Sequence, residues 1–477
     1  MSVLNHNIKL FHFFEELTKI PRGSYNEEKI ADYLENFAKD RNLKYIRDHM
    51  NNVIIFKDAS KGYEDHETVM LQGHSDMVNE KNKDCLHNFD TDPLELVLKD
   101  NVLSANGTTL GADDGCGVAI MLAILDDKEA IHPPLECVFT VQEEVGLFGA
   151  MGLDTSALNA TRMIGLDSSH ELQVTTSSSG GKRVLLNKKV TIQDNTSPVY
   201  KLTVKGLSGG HSGGEIHKEK GNAIQLNIRL LRMLLKEGID VRIVNIDGGL
   251  KDNAIARECV CSFASDSSID VIEDVLDKGF RVIKEQYLTI EPCLVIELEV
   301  GNNDKCMSML DSEAIINTVY LCPNGMIAKS MDIENLTLIS LNSGTIKTLD
   351  DSVQIVYSLR SPLKGALDHL TDKIEMISKI YGFTLKVNSE YGGWAYDPQS
   401  QLRKLMKSFF KEKYNIDLKE YATHGGLESG VFKAKMPMLD IVAYGPNMYD
   451  IHSPDERLEI DSFERVYHRI KKFLEVL

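Results

Sequence analysis

The 477-residue sequence holds no C-x-x-C pair, no low-complexity tract, no repeat of solenoid period and no long apolar run. Each absence excludes something. The eight cysteines are scattered, and only Cys259 and Cys261 lie close together. On one strand that pair faces one side in a geometry unsuited to an easy disulfide, so reduced thiols in the cytoplasm are expected. Apolar stretches reach only about eight residues, too short to span a bilayer. The N-terminal residues are polar and charged and lack the hydrophobic centre of a signal peptide, so no membrane partner is expected. Positive charge is scarce as well: 53 Lys and Arg stand against 71 Asp and Glu, a formal net charge of -18. Nucleic-acid binding draws on cations that neutralise phosphates, so no nucleic-acid partner is expected either.

The composition, 42% hydrophobic and 26% charged, is that of a globular protein, and the length calls for two or three domains. Helical spacing over residues 7–19 ends at Pro21. Ser24-Tyr25-Asn26-Glu27 reads as a capping box opening a second helix. Apolar strand patterns at Val53–Phe56, Thr68–Leu71, Leu135–Val141 and Met163–Leu166 then alternate with helical ones. This predicts an α/β domain built on a helix-covered, mixed and largely parallel sheet. From about Ser177 to Asn187 the chain turns Ser/Gly/Lys-rich. A block of longer strands and strongly amphipathic helices follows, predicting an inserted α+β sandwich domain. After about residue 388 the first pattern returns. The expected organisation is residues 1–185 and 389–477 for the first domain and 186–388 for the inserted one.

Chemistry concentrates where strands end. His74 and Asp76 follow the run Thr68–Leu71, and alternate residues of an extended segment point the same way. A metal-bound imidazole whose other nitrogen donates to a carboxylate has this pattern. Glu143-Glu144 follows the strand at 135–141, and Asp167 follows the one at 163–166. In open α/β sheets, ligands bind beyond the carboxyl ends of the strands. With Asp113 in a glycine-rich loop entering a helix and His452 near the C-terminus, the candidate metal ligands are His74, Asp113, Glu144, Asp167 and His452. Two ions sharing one bridging carboxylate suit this set, and three carboxylates with one hydroxide balance two divalent charges. Glu143, adjacent to Glu144 in an extended segment, would point elsewhere and act on water rather than metal. No cysteine joins the set, which favours zinc and is also compatible with manganese or cobalt. Singly, the residues have plainer readings: Asp113-Asp114 as a helix cap, His452 as a turn residue, the Glu pair as a solvated face.

The motifs together carry a resemblance. Ile20-Pro21-Arg22-Gly23-Ser24, Gly73-His74-Ser75-Asp76-Met77-Val78, Gly111-Ala112-Asp113-Asp114-Gly115, Glu143-Glu144-Val145-Gly146, Gly165-Leu166-Asp167, Gly210-His211-Ser212-Gly213, His424-Gly425-Gly426-Leu427-Glu428 and Ile451-His452-Ser453-Pro454-Asp455-Glu456 run nearly end to end. In this order the chain resembles the co-catalytic zinc metallopeptidases that include aminoacylases and glutamate carboxypeptidases, and most closely their aminoacyl-histidine dipeptidase type. The resemblance implies that His74 and Asp167 hold one ion, Glu144 and His452 the other, and that Asp113 bridges. It makes Asp76 the partner of His74, Glu143 the general base and His211 the residue that polarises the scissile carbonyl. Asn253, Arg360 and Gly426 become contacts to the substrate's carboxyl end. Asp rather than Glu at 167 implies a free amino terminus on the substrate. The inserted domain becomes a lid, and a histidine serving the neighbouring subunit implies a homodimer. Asp114 and Ser429 depart from the family's usual Asn and Cys. The expected activity is hydrolysis of dipeptides, including Xaa-His. A deacylase of N-acyl amino acids and a non-catalytic binding relative are the alternatives.

Overall fold

The computed structural model describes residues 2–477, which divide into two compact units. The first comprises residues up to Ser177 with Trp394–Ala422 and Leu427–Leu477; the second comprises Ser178–Gly393 with Thr423–Gly426. Among the described residues no helix is long and apolar enough to cross a membrane.

The first unit is built on an eight-stranded sheet. Its order is Lys44–Arg47, Val53–Lys57, Leu135–Thr140, Val69–His74, Arg162–Gly165, Asp440–Ala443, Gln173–Ser178 and Lys419–Thr423. The four strands from Leu135–Thr140 to Asp440–Ala443 are parallel, and antiparallel pairings flank them. Every residue of Val69–His74 and Leu135–Thr140 is buried, as strands covered on both faces require. The helix Ala112–Asp126 is buried all round except at Asp126, which marks it as a core helix. Helices Lys9–Leu17 and Ile460–Leu474 complete this packing, with Phe14 edge-on to Phe463 at 5.5 Å between ring centres.

The second unit is an antiparallel sheet ordered Val295–Gly301, Val199–Lys205, Cys259–Ala264, Arg242–Gly248, Thr337–Thr348, Ser352–Ser361, Gly180–Lys189 and Thr384–Tyr391. Helices Ala223–Lys236, Ile269–Gln286, Met309–Leu321 and Lys364–Ile380 share its apolar core. Asn222 caps the first of these, its side chain accepting from the Ile224 and Gln225 amides.

Several local expectations are corrected. The Ser/Gly/Lys-rich stretch after Ser177 folds into regular structure, Gly180–Lys189 being an interior strand paired on both sides. Ser24 does not cap the second helix, which begins at Glu28 without a side-chain cap. Its hydroxyl donates instead to Asp76 Oδ2 at 2.8 Å, because a buried carboxylate competes better for that donor than helix amides open to water. Glu143 and Glu144 are not in an extended segment. The chain turns at Gln142, in the left-handed region at φ 52°, so both carboxylates reach the same neighbourhood.

Candidate metal centre

Strand register sets the site. His74 pairs with Thr140, and Gln72 with Gly165, so three parallel strands end side by side. Asp113 arrives from the kinked start of helix Ala112–Asp126, where Asp113 and Asp114 are non-helical and joined by a cis peptide bond. The helix-cap alternative falls to Asp114, whose Oδ1 accepts the Gly117 amide at 3.1 Å.

The Asp113 carboxylate lies between two imidazoles. Its Oδ1 is 3.1 Å from His74 Nε2, and its Oδ2 is 3.2 Å from His452 Nε2. His452 Nε2 is also 3.0 Å from Glu144 Oε2. Donor atoms of His74, Asp113 and Asp167 lie within 4.8 Å of one another, as do those of Asp113, Glu144 and His452. Asp113 is common to both groups. His74, Glu143 and Glu144 form a third such group, so Glu143 stands beside the ligand set rather than away from it.

Asp76 is fully buried and organises this edge. Its carboxylate accepts the Glu143 and Glu144 amides at 3.1 and 3.4 Å, besides the Ser24 hydroxyl. Towards His74 the nearer acceptor is the Asp76 carbonyl, 3.1 Å from Nδ1, with carboxylate Oδ1 at 3.5 Å. Three residues from the sequence motifs, given no role there, have structural work. The buried Arg22 guanidinium donates to the Ser75, Asp76 and Gly111 carbonyls. Glu456 accepts the amides of Leu110, Gly111, Ala112 and Asp113 at 2.8 to 3.2 Å, tying the loop of His452 to that of Asp113. Glu428 Oε2 accepts from Gln72 Nε2 and Thr140 Oγ1 beneath the strand ends. Short motifs flag such residues but cannot say which backbone groups they will meet.

Charge is crowded here. Burial, and then the neighbouring Asp113 and Glu144 carboxylates, push Asp167 up to about 7. Burial raises Glu143 well above the usual carboxylate range, with Asp167, Glu144 and Glu428 adding to it. Burial disfavours a charged His74, but its hydrogen bonds to Asp113 and Asp76 outweigh it and raise its pKa well above 6.5. Hydrogen bonds to Asp113 and Glu144 raise His452 to about 11. Glu144 Oε1 is buried with no hydrogen-bond partner among the described residues. Excess carboxylate, imidazoles turned toward it and an orphaned oxygen are the donor set that a site for divalent cations requires.

The remaining candidates meet in the second unit. His211 Nδ1 accepts the Gly213 and Gly214 amides, which leaves the hydrogen on Nε2; partial desolvation and the Arg360 charge lower its pKa, which favours the neutral ring. Asn253 joins through its carbonyl, which accepts the Ser212 amide at 2.8 Å. Arg360 is 7% exposed, and a Cβ on Gly213 would come within 3.2 Å of its Cζ. Gly426 lies against Tyr391, whose hydroxyl accepts from Arg360 Nη1 at 3.1 Å.

Residues 70–476 match the profile of peptidase family M20/M25/M40. The chain belongs to this family. Over 459 residues, 95% of this chain and 94% of the relative, it is 34% identical to the cytosol non-specific dipeptidase of Escherichia coli (strain K12). Among solved structures, the aminoacylhistidine dipeptidase of Vibrio alginolyticus superposes with a TM-score of 0.90 at 32% identity, over 98% of this chain and 96% of that one. The aminopeptidase PepT of Bacillus cereus matches at a TM-score of 0.58 and 16% identity, over 99% and 98%, a likeness of fold alone.

Proposed function

We propose that the protein is a metallo-dipeptidase that hydrolyses dipeptides with a free amino terminus, with broad specificity including Xaa-His. The observation that carries this reading is the Asp113 carboxylate shared between His74 and His452, beside Glu144 and Asp167. The dipeptidase relatives, alike over nearly the whole length, support the substrate class. His74 and Asp167 would hold one divalent ion, Glu144 and His452 the other, and Asp113 would bridge them. Imidazole nitrogen and carboxylate oxygen without thiolate suit zinc, and also manganese or cobalt. Bound there, the ions would polarise the peptide carbonyl and acidify a water.

The chain's own groups do the rest. Glu143, its pKa raised, takes the proton of the attacking water and returns it to the leaving amine. Asp76 holds the Glu143 amide and His74 in place. His211 donates its Nε2 hydrogen to the developing oxyanion, a contribution of about 3 kcal/mol for such a donor. Arg360, a buried guanidinium without an ion-pair partner among the described residues, binds the substrate's terminal carboxylate with Asn253 and Gly426. The working form is a cytoplasmic homodimer. The edge strand Val295–Gly301, with Val295 and Val300 exposed, supports association through the second unit.

Glu143→Ala tests the assignment. Turnover of Ala-His should fall by about a hundredfold or more, while metal content per chain stays constant. Retained turnover removes Glu143 as the base. Faster cleavage of N-acetyl-His than of Ala-His by the wild type would make the protein a deacylase instead.

A further inference from the structure

We infer that Tyr391 is a second recognition group for the substrate's terminal carboxylate, donating its phenolic hydrogen to the anion that Arg360 faces. The inference rests on the peptidase reading and adds a specificity-determining residue to it.

Strand register brings the pair together. Gly181 is the pairing partner of Arg360 on one side and of Tyr391 on the other. Residues in one such row point to the same face of the sheet. Gly181 has no side chain to separate them, and the Tyr391 ring fills its place: a Cβ there would lie 2.6 Å from the ring and its oxygen. Gly426 closes the other side, where a Cβ would lie 2.7 Å from ring carbon Cε2. The ring is therefore slotted between two glycines, with its oxygen carried to the guanidinium. Any larger residue at either position would displace it.

Hydrogen-bond counting gives the phenol its task. Arg360 Nη1 donates to the Tyr391 oxygen at 3.1 Å, and among the described residues this is the only side-chain hydrogen bond of either group. Arg360 Nε is buried with no partner. The Tyr391 oxygen serves as acceptor, so its own hydrogen remains to be given. A buried cation with free N–H groups beside a free O–H is a donor set for an anion, and a carboxylate has two oxygens to share between them.

The test compares Ala-His with its C-terminal amide. In Tyr391→Phe, the wild-type preference for the free acid, as a ratio of kcat/KM, should shrink about tenfold, the scale of one hydrogen bond to a charged group. The change should lie mainly in KM, with unaltered circular dichroism. Gly181→Ala, which displaces the ring, should lower the same ratio. In an Arg360→Ala background, Tyr391→Phe should still lower it. No further loss there would make Tyr391 only a prop for Arg360 and overturn the inference. An active wild type whose preference survives Tyr391→Phe overturns it alone; a wild type inactive on both substrates overturns the peptidase reading with it.

Discussion

His424 stands between two hydroxyls, with Ser179 Oγ 2.9 Å from Nδ1 and Ser340 Oγ 2.7 Å from Nε2. Burial, then the nearby Arg360 charge, hold its pKa down at about 3, against 6.5 for a free imidazole. Between those values the unfolded chain binds a proton that the folded chain refuses, so stability falls as the pH drops. The slope is up to about 1.4 kcal/mol per pH unit for one such group. In urea unfolding, wild type should therefore lose more stability between pH 7 and pH 4 than His424→Gln does. Equal losses would mean that His424 is not the neutral buried imidazole described. At this scale the sequence was legible where a strand pattern runs straight into an ionisable residue, as at His74 and Asp167. It was not legible for Tyr391, Glu428 or His424, whose partners come from other segments of the chain and carry no local pattern.

Among elements, the loop Leu110–Asp113 is held more by carboxylate than by its own secondary structure. Four consecutive amides converge on Glu456, which is 2% exposed. Arg22 takes the Gly111 carbonyl from the other side. Removing the acceptor leaves buried N–H groups unsatisfied, each costly. Glu456→Ala should lower the unfolding free energy by about 3 kcal/mol, measured as a drop in denaturant midpoint. A change within experimental error would mean that water replaces the carboxylate. The strand at Gly180–Lys189 gives the opposite lesson. It begins in a stretch rich in glycine and serine, and Gly180 and Gly181 occur there because Gly393 backbone and the Tyr391 ring need the space. Composition reports flexibility in the unfolded chain, while close approach in the folded one can ask for the same residue.

For the whole molecule, the two-unit division separates the proposed ion ligands from the proposed oxyanion donor: His74, Asp113, Glu144, Asp167 and His452 belong to the first unit and His211 to the second. If subunits of a dimer exchange these contributions, two inactive proteins can complement one another. Reassociating His211→Ala with Glu143→Ala should recover up to about a quarter of wild-type turnover per site, since random pairing makes half the dimers mixed and each has one intact combination. No recovery in dimers verified as mixed would assign His211 to its own subunit's substrate.

The sequence by itself determined the class of the first unit and the candidate ligands. Both depend on local periodicity and on the rule that strand ends deliver side chains to one edge. Tertiary structure decided what those residues meet. The turn at Gln142 brings both Glu143 and Glu144 toward His74, Ser24 serves Asp76 instead of a helix, and Glu456 binds two distant loops together. Hydrogen bonds between residues hundreds of positions apart follow from packing, and no spacing in the chain encodes them.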